Sequence, residues 1–276
     1  MVANRRGKAR RREPVRHSIP ESRLRADHSV NRTVTAQALI DGWAIPGSHV
    51  RVRLARPVDL AALRTFAEMA GTRVEDEVAD AIDAGIAGAG LIIGMRDGHE
   101  TFLSHVAEQF FTHQDTGRQV AFLHLTLALV AEDPGRGIVG ALLAYPPVGV
   151  IGQFLAQAHR IGVNPQQLLV TGAIGLVRVK ALAVAEPMRR QGLAAALMEC
   201  CRQVYATCKY LMLYGQMPAR PGLADFYRSL GFTVLQKREG FDPWVIFGVH
   251  SQILPESDER MFLWDRPMTH RIQRHR

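Results

Sequence analysis

The chain has 276 residues, 47% of them apolar and 22% charged. That length suits one large domain or two small ones, and the composition excludes wholesale disorder, a collagen repeat and a disulfide-stapled miniature. The formal charge of +8 is concentrated at the start: residues 1–32 hold ten Lys/Arg against three Asp/Glu, a net +7, which leaves +1 for the other 244. The basic character therefore belongs to a tail, and the rest of the chain is near neutral.

Residues 1–47 are polar, Arg-rich and without periodicity, and read as a basic, poorly ordered arm. Residues 1–32 are the candidate contact for nucleic acid or ribosomes, with a passive solubilising extension as the plain alternative. No apolar run follows the basic start, as a secretory signal would require. From His49 the chain alternates apolar and basic residues as a strand does, and a helix over 60–70 follows, with Leu60, Leu63, Phe66 and Met69 at helical spacing and Gly71 as its stop. A second helix is predicted over 74–86 and a third around 99–111. Glycines 88, 90 and 94 have neither the spacing nor the preceding strand of a dinucleotide loop. The apolar run 120–131 and the segment 138–145 read as two strands joined by the Pro-Gly turn of residues 132–137. The longest apolar stretch, 138–155, holds Pro146-Pro147 and several glycines, so no membrane span is expected. Residues 148–171 look helical with a break at Asn164-Pro165. A strand over 176–184, a helix from Leu193, a strand over 211–216, a short helix after Pro221 closed by Gly231, and strands over 232–239 and 260–264 complete the pattern.

The informative stretch is 176–232. A strand feeds through Arg189-Arg190-Gln191-Gly192 directly into a helix that begins Leu193-Ala194-Ala195. A helix N-terminus carries unpaired N–H groups and partial positive charge, and so receives anions. Gly192 lets a backbone approach the ligand, the small alanines keep the first turn open, and the two arginines add charge. These features suit a pyrophosphate.

R-x-x-G-x-A at Arg189, Gly192 and Ala194, after a strand ending in Val184, resembles the acetyl-CoA signature of the Gcn5-related N-acetyltransferases (GNAT). The segment Phe226-Tyr227-Arg228-Ser229-Leu230-Gly231-Phe232 is similar to the second signature of that family. The resemblance covers roughly 49–265, with 87–118 and 148–172 unmatched. It implies an α/β fold with a GNAT-like mixed, splayed central β-sheet flanked by helices, in an acetyltransferase domain over 48–268 followed by a short basic tail at 269–276. The sheet would open between strands 176–184 and 210–216, with the pantetheine arm of acetyl-CoA in the gap beside Leu182, Ala183 and Val184. The pyrophosphate would rest on residues 189–195: Arg189, Arg190, Gln191, Gly192, Leu193, Ala194 and Ala195. By the same resemblance the activity is acetyl transfer from acetyl-CoA to a primary amine of a small molecule, peptide or protein, with Tyr227 as general acid toward the CoA sulfur.

An amine of pKa near ~10 must lose a proton before it attacks. Some relatives place a glutamate on the strand before the pyrophosphate loop; here residues 172–185 contain no Asp or Glu and offer Arg178 and Lys180 instead. His124, Glu132 and Asp133 on the hairpin are relay candidates, each equally a turn or packed residue, and no base is assigned. The missing carboxylate motivates a second reading, a non-catalytic acyl-CoA sensor or interaction module; the basic arm motivates a third, transfer onto ribosome- or tRNA-associated substrates. Glu75, Asp76, Glu77, Asp80 and Asp83 read best as a solvated helix face. The odd, clustered cysteines (Cys200, Cys201, Cys208) fit a reducing, cytoplasmic setting, and Cys201 falls on an apolar helix face, so core thiols are expected. The eleven histidines show no ligand spacing, and no metal is expected. Oligomeric state is open, a homodimer being compatible with the resemblance.

Overall fold

The computed structural model describes residues 33–112, 117–256 and 258–266. Of the expected arm over 1–47, residues 1–32 lie outside the described residues, as does the tail over 269–276. Residues 33–47 belong to the folded unit, which begins at Thr33 and not at 48. Helix α1 (Ala36–Asp41) is capped by the Thr35 hydroxyl, which accepts from the Ala38 N–H, and Leu39 is fully buried. Strand β1 (Trp43–Ala44) then pairs antiparallel with β2 (Arg51–Leu54).

One sheet organises the chain. Its order is β1, β2, β3 (Leu127–Asp133), β4 (Gly137–Tyr145), β5 (Leu176–Val184), β6 (Met212–Pro218), β8 (Glu259–Asp265), β7 (Thr233–Val234). All neighbours are antiparallel except β5 and β6, which run parallel. Two apolar layers cover it. On one face Ala128, Val130, Ala141, Leu143 and Ala181 meet Leu63 and Phe66 of α2 (Leu60–Met69) and Val78 and Ile82 of α3 (Asp76–Asp83). On the other face lies α9 (Leu193–Thr207), whose Leu193, Leu197, Cys201 and Val204 are buried together, as the helical spacing predicts. Each such aliphatic side chain contributes roughly 1.5–3 kcal/mol. Tyr205 of α9 donates its buried hydroxyl to the carbonyls of Leu125 and Ala144, 3.0 Å each, tying the helix to the sheet.

Some expectations change. The apolar run 120–131 is not a single strand: its first part is the end of α6 (Gly117–His124), closed by the Thr126 hydroxyl on the Phe122 carbonyl, and the strand starts at Leu127. Apolarity alone does not separate a buried helix end from a strand. The strand expected over 232–239 is two residues long, because the Gln236 N–H turns onto the Glu239 carboxylate at 2.6 Å and Arg238 takes a positive φ of 64°. The segment 87–118 supplies α4 (Ala89–Asp97) and α5 (His99–Thr112), and 148–175 supplies α7 (Val148–Ile161) and α8 (Pro165–Gly175), broken at Asn164-Pro165 as expected. Among the described residues no helix is long and apolar enough to cross a membrane.

The face that carries α2 is locked by a buried ion network. Arg53 is 3% exposed and grips Asp59, at the start of α2, through Nη1 and Nη2 (2.5 and 3.1 Å) and Glu132 of β3 through Nε and Nη2 (2.7 and 3.1 Å). Burial works to raise the Asp59 pKa, but the Arg53 guanidinium and the Arg56 N–H prevail and hold it below the usual carboxylate range. Replacing Asp59 with Ala leaves Arg53 partly unpaired in the interior and is expected to cost about 3–5 kcal/mol in urea unfolding. Asp59 and Glu132 both have lowered pKa values, so the unfolded chain binds more protons than the folded one. Their contribution is complete above the ordinary carboxyl pKa of about 4 and fades as pH falls through the depressed values. In Asp59→Ala that acid-side loss should be smaller.

Candidate functional site

The site begins where β5 leaves β6. The parallel ladder runs from Leu176↔Met212 to Val179↔Gly215 and ends there, whereas β5 continues to Val184 and stays paired with β4 as far as Gly140↔Val184. The register shifts between Leu143↔Ala181 and Ala144↔Val179, so Lys180 is an extra, bulged residue at the point of divergence. A bulge bends and twists its strand. Residues 180–184, including the predicted Leu182, Ala183 and Val184, thus lie beyond the last β6 pair, as the splayed sheet requires. Backbone groups on such an edge are free to pair with an extended ligand.

At the end of β5 a 3-10 turn (Glu186–Met188) leads to the predicted anion loop. Arg189 donates from Nε to the Val184 carbonyl at 3.2 Å, so this arginine also ties the loop to the strand end. Arg190 and Gly192 both take positive φ, 64° and 80°, and such alternation is found in anion-binding backbone nests. The first bond within α9 is Ala196 N–H to the Gly192 carbonyl, 2.9 Å. The N–H groups of Leu193, Ala194 and Ala195 precede it and have no intrahelical acceptor. The Leu193 side chain is buried, so this residue offers only its backbone, while Arg189, Arg190, Gln191 and Gly192 are exposed. A Cβ on Gly192 would meet nothing within 4 Å; the glycine is needed here for its left-handed conformation.

The hairpin brings a third cation to the loop. Arg136, in the β3–β4 turn, places Nη1 2.7 Å from Met188 Sδ. No motif marks it in the sequence, because the contact joins residues 52 apart.

Tyr227 arrives by a different route. It lies on α10 (Leu223–Ser229), and its ring stacks on Phe262 of β8, centroids 3.8 Å apart and planes 12° apart. Phe262 is the β8 partner of Gly215, the last β6 residue on the β5 ladder. The chain of neighbours Val179, Gly215, Phe262, Tyr227 therefore links the phenol to the vertex of the splay. The ring is 7% exposed, and burial raises its pKa above that of an ordinary phenol. Among the described residues its hydroxyl has no hydrogen-bond partner. A Cβ at Gly215 would run into the Phe262 ring. Gly215→Ala is accordingly expected to destabilise the fold by about 1–3 kcal/mol and to displace Tyr227, measurable by denaturation together with turnover; wild-type stability would contradict this packing.

The three relay candidates are committed elsewhere. Glu132 belongs to the Arg53 network. Asp133 accepts from the Gly135 and Arg136 N–H groups and from His49 Nε2 at 2.8 Å. His124 lies on α6, not on the hairpin, with Nδ1 3.0 Å from His105 Nε2; burial and that neighbour lower its pKa. Asp76, Glu77, Asp80 and Asp83 are exposed as expected, but Glu75 is not part of that face. Its carboxylate accepts from the Tyr145 hydroxyl at 3.1 Å and stands 3.8 Å from Lys180 Nζ. All three cysteines are buried, and burial raises their thiol pKa values, that of Cys208 to about 12. Among the described residues no cluster of three or more His, Cys, Asp or Glu is placed to hold a metal.

Residues 108–234 match the family model described as the acetyltransferase (GNAT) domain. Similar solved structures include Ard1 from Thermoplasma volcanium (12% identity, 80% of this chain and 100% of that one, TM-score 0.40). They also include the ribosomal-protein-S18-alanine N-acetyltransferase of Escherichia coli (14% identity, 80% and 96%, TM-score 0.41). A third is a GNAT family acetyltransferase from Elizabethkingia anophelis with acetyl-CoA bound (14% identity, 59% and 90%, TM-score 0.34). No match was found among curated protein sequences. The match to the acetyltransferase (GNAT) domain at residues 108–234 spans the hairpin, the splayed strand, the anion loop and Tyr227.

Proposed function

We propose that this protein binds acetyl-CoA along residues 182–195 and transfers its acetyl group to a primary amine, with Tyr227 facing the leaving sulfur. The observation that carries the reading is the shared vertex: the open edge of β5 leads from the helix N-terminus to the point where Val179 pairs with Gly215, and Phe262 sets Tyr227 beside it.

Each residue has a definite part. The N–H groups of Leu193–Ala195, with Arg189, Arg190 and Arg136 close by, receive the pyrophosphate. The free edge of Leu182, Ala183 and Val184 aligns the pantetheine amides. Bound acetyl-CoA supplies an activated thioester carbon, at which a nitrogen–carbon bond forms as the carbon–sulfur bond breaks. An attacking ammonium gives up two protons in all; one ends on sulfur and one in solvent. Tyr227 stays protonated at neutral pH, because burial holds its pKa above the usual value. A phenol less acidic than a thiol of pKa ~8.5 assists by donating a hydrogen bond as charge builds on sulfur.

β5 carries no carboxylate, and in this reading the amine reacts as its free base or gives its proton to water. At low amine concentration the rate should then rise with pH up to the pKa of the amine itself. The test is thiol release from acetyl-CoA with a panel of primary amines. Release with that pH dependence supports the reading. Acetyl-CoA binding without release from any amine would favour the non-catalytic sensor, which the missing carboxylate also fits.

A further inference from the structure

The splay vertex carries two cations where a base would be sought. Arg178 sits directly across the ladders from Tyr145 of β4 and Tyr214 of β6, and Lys180 is the bulged residue beside it. Lys180 faces the α2–α3 side, since its Nζ lies 3.8 Å from Glu75, the residue preceding α3. Arg178 is met from the other wall by Glu256, whose Oε1 is 3.5 Å from Nη2. That wall is braced: the Glu256 N–H donates to Gln216 of β6 at 3.3 Å, and Phe247, in a short helix of the same β7–β8 connection, stacks on Phe154 of α7, centroids 4.0 Å apart.

Both cations are loosely held, and the edge of Arg178 that normally grips carboxylates is unfilled. A guanidinium takes a carboxylate side-on through paired N–H groups. Among the described residues Nε is buried with no partner, and Nη2 has only the long contact to Glu256. The buried Arg53, by contrast, meets two carboxylates with contacts of 2.5–3.1 Å. Arg178 and Lys180 do not serve the CoA phosphates. At about 3.3 Å per strand residue, Arg178 lies roughly 20 Å back from Val184, where the anion loop begins.

We propose that the acceptor is a small amine carrying a carboxylate within a few bonds of its nitrogen, of the amino-acid class, and that Arg178 and Lys180 receive that carboxylate. The inference rests on the acetyltransferase reading above.

The test uses the full chain, acetyl-CoA and matched pairs of acceptors: free amino acids against their carboxamides and their decarboxylated amines, read by thiol release, with acetyl-CoA affinity measured in parallel. The wild type should prefer the carboxylate-bearing member by about tenfold or more in kcat/KM. Arg178→Gln and Lys180→Gln should each erase most of that preference without changing acetyl-CoA affinity. Arg178→Lys, which keeps the charge but loses the fork, should retain part of it and guards against a folding defect in Arg178→Gln. Equal or better turnover of the neutral members overturns the proposal. So does acetyl-CoA binding with no release from any carboxylate-bearing amine. A preference that survives both Gln substitutions removes the two residues from acceptor recognition. Failure to bind acetyl-CoA at all would instead overturn the underlying function.

Discussion

Gly192→Glu is expected to lower acetyl-CoA affinity by at least about 100-fold while leaving the chain folded. Gly192 is the N-cap of α9 at φ 80°, and space around its missing Cβ is open. An L-residue there carries about 1–2 kcal/mol of backbone strain, which a core of this size tolerates. The larger effect is electrostatic: a carboxylate would sit at the positive end of the helix, on the N–H groups proposed for the pyrophosphate, and repel it. A loss of 100-fold corresponds to about 2.8 kcal/mol. Gly192→Ala carries the strain without the charge and should lose much less affinity. Titration of each variant separates the two terms. Equal losses in Ala and Glu would mean that the conformation of the loop, and not its charge, governs binding. Wild-type affinity in Gly192→Glu would remove the loop from the cofactor site.

Tyr227→Phe is expected to reduce kcat by about 100-fold and to leave acetyl-CoA affinity within about twofold. The substitution keeps the ring that stacks on Phe262 and removes only a hydroxyl with no hydrogen-bond partner among the described residues. Stability should therefore change little, since no internal hydrogen bond is lost. This distinguishes a role in the transition state from a packing role. A packing role predicts near-normal kcat in Tyr227→Phe and a large stability loss in Tyr227→Ala. Unchanged turnover in the Phe variant would take Tyr227 out of the mechanism.

How much of this was legible in the sequence depends on the range of the interactions. The strand at 176–184, the helix from Leu193 and the hairpin turn follow from local pattern, and the structure has them with the same starts or nearly so. The helix N-terminus could be assigned from the Arg-Gly-Ala spacing because capping is a local matter. The fate of Arg53 could not, since its partners Asp59 and Glu132 lie 6 and 79 residues away. Arg136 at the loop, the Phe262 platform under Tyr227 and the Glu75–Lys180 contact share that character. Each pairs residues that only the sheet order brings together. The boundary of the arm is not legible because α1 is only six residues long, and its one fully buried anchor, Leu39, gives no periodic signal. The glycines at 90 and 94 belong to close packing of α4: a Cβ on Gly94 would lie 2.8 Å from Cys208 Sγ, a requirement that spacing alone does not reveal.

The measurement that tests the central claim most directly is calorimetric titration of the full chain with acetyl-CoA, beside the same titration of Gly192→Glu. The account predicts one saturable site per chain in the wild type and its loss in the variant. No saturable binding by a folded wild-type chain would contradict it, and would leave the open edge of β5 and the helix N-terminus as features of the fold without the chemistry assigned to them.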